Sequence, residues 1–158
     1  MVRSDAIHVI FAGAWIPEIY REKVRSQRTR SYTLDVPARE NAATIQYTLL
    51  GIELKIGKRR FACPDLAMAR YLRIFARLGC AEFAIPYDIT KTSVIADELE
   101  TAWQRTLLVI DRETSNFTPA AVKRHRGRIL KAIRDEIQQI GAGPAMPDFD
   151  RETRKKRL

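Results

Sequence analysis

Apolar residues recur along this chain with two periods, one of about two residues and one of about three and a half, and the change from one to the other marks where strands give way to helices. Residues 6–15 (AIHVIFAGAW) are β-branched and aromatic, too few for a core helix, and read as a buried strand that Pro17 closes. Pro17-Glu18 then opens a short helix to about Gln27, with Ile19, Tyr20 and Val24 on one face. Residues 31–36 (SYTLDV) alternate ahead of Pro37 and read as a second strand. Ile45, Tyr47 and Leu49 alternate with Thr44, Gln46 and Thr48. That pattern suits a half-buried strand over 44–50, although residues 38–50 also accommodate a helix capped by Gly51. Ile52, Leu54 and Ile56 alternate with Glu53 and Lys55, and Gly57-Lys58 turns the chain back into residues 59–62, a hairpin pattern.

The longer period takes over at Asp65. Met68, Tyr71, Leu72, Phe75 and Leu78 share one helical face, Pro64-Asp65 opens the helix and Gly79 ends it. Arg70, Arg73 and Arg77 lie opposite that stripe, which predicts an exposed basic ridge. Residues 82–87 read as a short edge strand, and a second helix is expected over 92–112 with Ile95, Leu99, Ala102, Trp103, Thr106 and Ile110 inward. Thr118-Pro119 is a capping residue followed by a residue without a donor, so a third helix runs from there to Ile140, with Val122, Ile129, Ile133, Ile137 and Ile140 as its core stripe. The Gly-Ala-Gly-Pro sequence at 141–144 stops it. The expected fold is α+β: a small mixed sheet or hairpin packed with three to four amphipathic helices, the C-terminal half helical. Residues 1–141 form one domain in this reading, and 142–158 a flexible basic tail.

Composition adds a partner. With 158 residues, 46% hydrophobic and 30% charged, the chain can bury a full core as one soluble domain. Its apolar run from Val9 to Ile16 is far shorter than the roughly 20 residues of a membrane span, so a cytoplasmic protein is the default. Cys63 and Cys80 flank the helix after Asp65 and are about 25 Å apart if it forms, too far for a disulfide. The net charge is +9, unevenly spread: +3 over residues 1–34, +2 over 35–64, −2 over 65–118 and +6 over 119–158. A surface charged only for solubility needs no such segregation, so an anionic partner is expected.

The sharpest cationic feature is Lys123-Arg124-His125-Arg126-Gly127-Arg128, continued by Lys131 and Arg134 on the third helix. Lys123, Arg124, Arg128 and Lys131 fall together, away from the isoleucines, and such a ridge can follow a phosphate backbone. Lys58, Arg59 and Arg60 in the hairpin, together with Arg70, Arg73 and Arg77, complete the expected nucleic-acid surface. The first reading is a non-catalytic protein that binds RNA or a ribonucleoprotein assembly through this helix and the tail. Another is an adaptor whose ridge docks on an acidic protein.

A chemical alternative rests on Asp35 and on Glu53-Leu54-Lys55, eighteen residues further on. Two converging carboxylates can hold a divalent metal, and a lysine two residues from one of them shares its face and can orient water. Over residues 31–90 this resembles the pattern of the PD-(D/E)xK nucleases, with Leu34 standing where that pattern has proline. The resemblance implies a nuclease that uses Mg2+ or Mn2+, with Asp35, Glu53 and Lys55 as its catalytic set. No cofactor is implied otherwise. Glu-x-Lys also arises on any solvated strand face. The two histidines and two cysteines include no C-x-x-C pair, no Gly-rich loop precedes a helix, and Trp15 and Trp103 read as core.

Overall fold

The computed structural model describes residue 11 and residues 13–143. Among these residues four α-helices and five strands follow in the order α1 (Ile16–Ile19), β1 (Thr29–Thr33), β2 (Ala43–Thr48), β3 (Gly51–Ile56), β4 (Arg59–Cys63), α2 (Leu66–Leu78), β5 (Glu82–Pro86), α3 (Ile89–Glu113) and α4 (Pro119–Ile140). The architecture is α+β with a helical C-terminal half, as the pattern predicts. The strands form two antiparallel sheets: β1 with β5, and a meander β2-β3-β4. No helix among the described residues is long and apolar enough to cross a membrane.

Several local expectations shift. Of the strand expected over residues 6–15, only Phe11 and residues 13–15 are described, and they form a turn: the Ala14 N–H donates to the Phe11 carbonyl at 2.7 Å and Trp15 enters α1 directly. After Ile19 the helix widens into a π-helical turn, Tyr20–Val24, in which the Arg25 N–H reaches the Tyr20 carbonyl at 2.9 Å. This turn buries both Tyr20 and Val24. β1 lies two residues earlier than its alternation suggests, because its register is set by β5, from Thr29 opposite Pro86 to Thr33 opposite Glu82. Leu34 and Val36 enter the core from the loop that follows.

Residues 43–48 are strand, paired along β3 from Ala43 opposite Ile56 to Thr48 opposite Gly51. Their expected apolar face is only partly used. Ile45 packs on the core, whereas Tyr47 is 71% exposed and Leu49 and Leu50 are fully exposed, since the end of the hairpin carries them beyond what α2 covers. Leu54 and Ile56 are buried on the side of the meander that faces α2.

The core centres on α2. Asp65 caps it by accepting the Met68 N–H at 2.8 Å, and Gly79 ends it in the left-handed conformation at φ 76°. A side chain at Gly79 would strike the Arg39 backbone as well as strain the turn. Met68, Tyr71, Leu72, Phe75 and Leu78 are all buried as the stripe requires, and Phe75 stacks on Phe83 of β5 with ring centroids 4.2 Å apart. β5 then carries the chain back, so that α3 runs parallel to α2: Arg70, Arg73 and Arg77 meet Asp97, Glu100 and Trp103 in ascending order. Two buried tyrosines complete β5. Tyr71 donates to the Ala84 carbonyl at 2.6 Å, while Tyr20 accepts the Ala84 N–H at 2.8 Å and donates to the Gly141 carbonyl at 2.7 Å, joining the strand to the end of α4.

Candidate nucleic-acid interface

The basic residues singled out in the sequence separate into those that fold pairs with acids and those it leaves open. Arg70 bonds both Asp97 and Glu100, and Arg73 bonds Glu100 at 2.9 Å; their side chains are only 24% and 21% exposed. Arg77 lies over the Trp103 ring at 6.0 Å, and burial lowers its pKa from the ordinary value. The exposed ridge expected at these three positions is therefore a seam between α2 and α3, because the acidic stretch 97–100 is where two parallel helices meet. Arg134 likewise turns inward and donates to the Leu78 carbonyl at 3.0 Å, satisfying the end of α2. His125 pairs with Glu113 at 2.9 Å, with Phe117 edge-on beside it.

The carboxylates of the nuclease pattern do not converge. Asp35 lies in the loop after β1, and both its side chain and its carbonyl accept from Arg59 at the hairpin turn. Arg59 is opposite Ile56, on the face of the meander that looks toward the core. Glu53 is opposite Ala62 and Lys55 opposite Arg60, on the other face, and Glu53 is three steps along β3 from Ile56, about 10 Å. The Arg60 guanidinium is 3.9 Å from Glu53. Among the described residues no group of three or more His, Cys, Asp or Glu side chains could hold a metal ion. The alternation placed Glu53 and Lys55 correctly on one face. What it could not supply was the position of a loop carboxylate relative to that face.

A different group comes together. The loop 35–42, the β3–β4 turn and the early turns of α4 enclose a groove of about 920 Å3. Gly57, at φ 61°, permits the tight turn that puts Lys58 at its tip. On α4, Thr118 accepts the Ala121 N–H at 3.3 Å, and burial of Ile129, Leu130, Ile133 and Ile137 turns Lys123, Arg124, Arg128 and Lys131 outward. Lys131 pairs with Asp135 one turn on. The loop is fastened by Asn41, whose side-chain amide donates to the carbonyls of Pro37, Arg39 and Ala76 at 3.1, 2.8 and 3.1 Å.

No protein-family model, curated protein or solved structure matches the chain. The groove must therefore be read from its own chemistry. Arg39, Lys58, Arg59, Lys123 and Arg126 line it against two acids, Asp35 and Glu40. Arg59 takes Asp35, and Arg126 takes Glu40 through Nε at 2.9 Å and through Nη2; this contact raises the Arg126 pKa above its ordinary value. Arg39, Lys58 and Lys123 have no acid partner among the described residues, and neither do Arg124 and Arg128 on the adjoining helix face. Arg39 and Arg126 were not on the expected binding surface. Arg39 stands alone in an irregular loop with no periodicity to mark it, and Arg126 borders the apolar stripe.

Proposed function

We propose that the chain binds the phosphate backbone of RNA, without acting on it chemically, by laying a strand along the groove between α4 and the β3–β4 turn. The observation that supports this reading is the meeting of Arg39, Lys58 and Lys123, from three separate elements, in one hollow with no acid partner among the described residues. Three uncompensated cations around a concavity repel one another in its absence and are stabilised by successive phosphates. Arg124 and Arg128 extend the path along α4. The concave shape favours a flexible single strand or loop over a duplex, because the turn holding Lys58 stands beside the N-terminal half of α4 and keeps that helix from lying alone in a major groove.

Fluorescence anisotropy with single-stranded RNA and DNA of equal length tests the reading. Five contacts on a single strand imply a slope of log K against log salt near about −3.5, or about a hundredfold weaker binding between 50 and 200 mM salt. Equal binding of RNA and DNA would leave the phosphate contact and remove the preference for RNA. Binding of polyglutamate as tight as that of RNA would replace the reading with an acidic protein partner. No salt-dependent binding to either nucleic acid would end it.

A further inference from the structure

The groove has a continuation. Beyond the Arg126–Glu40 pair lies a second hollow of about 540 Å3, lined by Thr44, Arg77, Trp103, Gln104 and Leu107. Glu40, Asn41, Ala42 and Arg126 border both hollows, so the ion pair stands at the partition between them. The loop backbone and the paired side chains differ in freedom. The backbone beside Glu40 is fixed by the three bonds of Asn41 to the loop and to the end of α2, but the Glu40 side chain is 37% exposed and the Arg126 side chain 32%. A pair this accessible to water is a weak lock. Moreover, the planar guanidinium fork that now donates to a carboxylate through two nitrogens can donate to two phosphate oxygens in the same geometry.

The geometry points to the Arg126–Glu40 pair as a gate in the nucleic-acid path: a backbone phosphate takes the place of the Glu40 carboxylate on Arg126, Glu40 swings into solvent, and the two hollows become one channel for a continuous strand. This rests on the RNA-binding reading above. Glu40 then acts as a resident competitor that weakens the groove for ligands too short or too weakly charged to displace it. The exchange needs only a side-chain rotation, because the loop backbone stays anchored through Asn41.

Glu40→Gln removes the competitor and keeps the shape. The variant is expected to bind single-stranded RNA about two- to fivefold tighter than the natural chain, the range set by what an accessible ion pair is worth. Adding Arg126→Gln in that background removes the phosphate contact with no stray carboxylate left behind, and the salt slope should fall by about 0.7. In the unaltered chain, the Arg126 Nε–H resonance should shift as RNA is added, whether or not the variants fold well. A resonance that stays at its free position while RNA binds, or a Glu40→Gln variant that folds and binds no tighter, or a double variant with the same slope as Glu40→Gln, overturns the gate. Failure of the unaltered chain to bind any nucleic acid instead overturns the RNA reading on which it rests.

Discussion

At the scale of single residues, what an arginine does here is decided by the acid nearest to it. Arg70 and Arg73 occur at the spacing of a surface ridge, yet Glu100 receives both and Asp97 takes Arg70 as well. Tyr71 shows the reverse dependence, an apolar-stripe residue whose hydroxyl is needed. Its O–H satisfies the Ala84 carbonyl inside the core, so Tyr71→Phe leaves a buried acceptor unpaired and should destabilise by about 1–3 kcal/mol in urea titration. A loss below the error of that titration would mean that water replaces the hydroxyl. Gly127 lies mid-helix on the groove side of α4, and a Cβ there meets nothing within 4 Å. Gly127→Ala should accordingly raise stability by about 1 kcal/mol, read as a higher urea midpoint. A fall would show that the helix there requires glycine for a reason other than space.

At the scale of elements, α2 carries the fold. Phe75 is fully buried between Tyr20, Tyr71 and Phe83, so Phe75→Ala should cost about 3–5 kcal/mol, whereas Arg73→Ala, which leaves Arg70 on Glu100, should cost about 1 kcal/mol. Equal losses would place the weight on the α2–α3 seam. The same buried layer makes stability sensitive to alkali. Burial pushes the Cys80 thiol and the Tyr20 hydroxyl each up to about 12, and Tyr71 well above its ordinary value. Groups raised in the folded state keep their protons there while the unfolded chain loses them. Stability is therefore level to about pH 8, where the unfolded thiol, with its ordinary value of 9.0, begins to ionise, and falls from there toward pH 12. Urea midpoints at pH 7, 9 and 10.5 check this, and an unchanged midpoint at pH 10.5 would contradict it. α2, β5, α3 and α4 were legible within a few residues, because a capping Asp65, a closing Gly79 and the Thr118-Pro119 start coincide with long apolar stripes. β1 was displaced and Tyr47 and Leu49 were misjudged. A short strand takes its register and cover from a partner distant in sequence, as β1 does from β5.

At the scale of the whole molecule, charge acts through its location. Lys58→Gln with Lys123→Gln, on the two sides of the cationic groove, and Lys23→Gln with Arg105→Gln, in the hollow between α1 and α3 that Glu18, Glu22, Asp97 and Glu98 line, lower the net charge equally. The first pair should weaken RNA binding about tenfold or more at moderate salt and flatten its salt dependence by about 1.4 log units, and the second should leave both nearly unchanged. Equal effects would mean that only total charge matters. The sequence by itself determined the α+β class, the three long helices, the hairpin and the outward cations of α4, because each follows from a period, a cap or a turn within some twenty residues. Tertiary structure alone decided which cations are free. It spent Arg70, Arg73, Arg77 and Arg134 on helix contacts, kept Asp35 from Glu53, and brought Arg39 and Lys58 beside Lys123. Electrostatic partnership depends on distances of a few ångströms between residues far apart in the chain, and no local pattern encodes those distances.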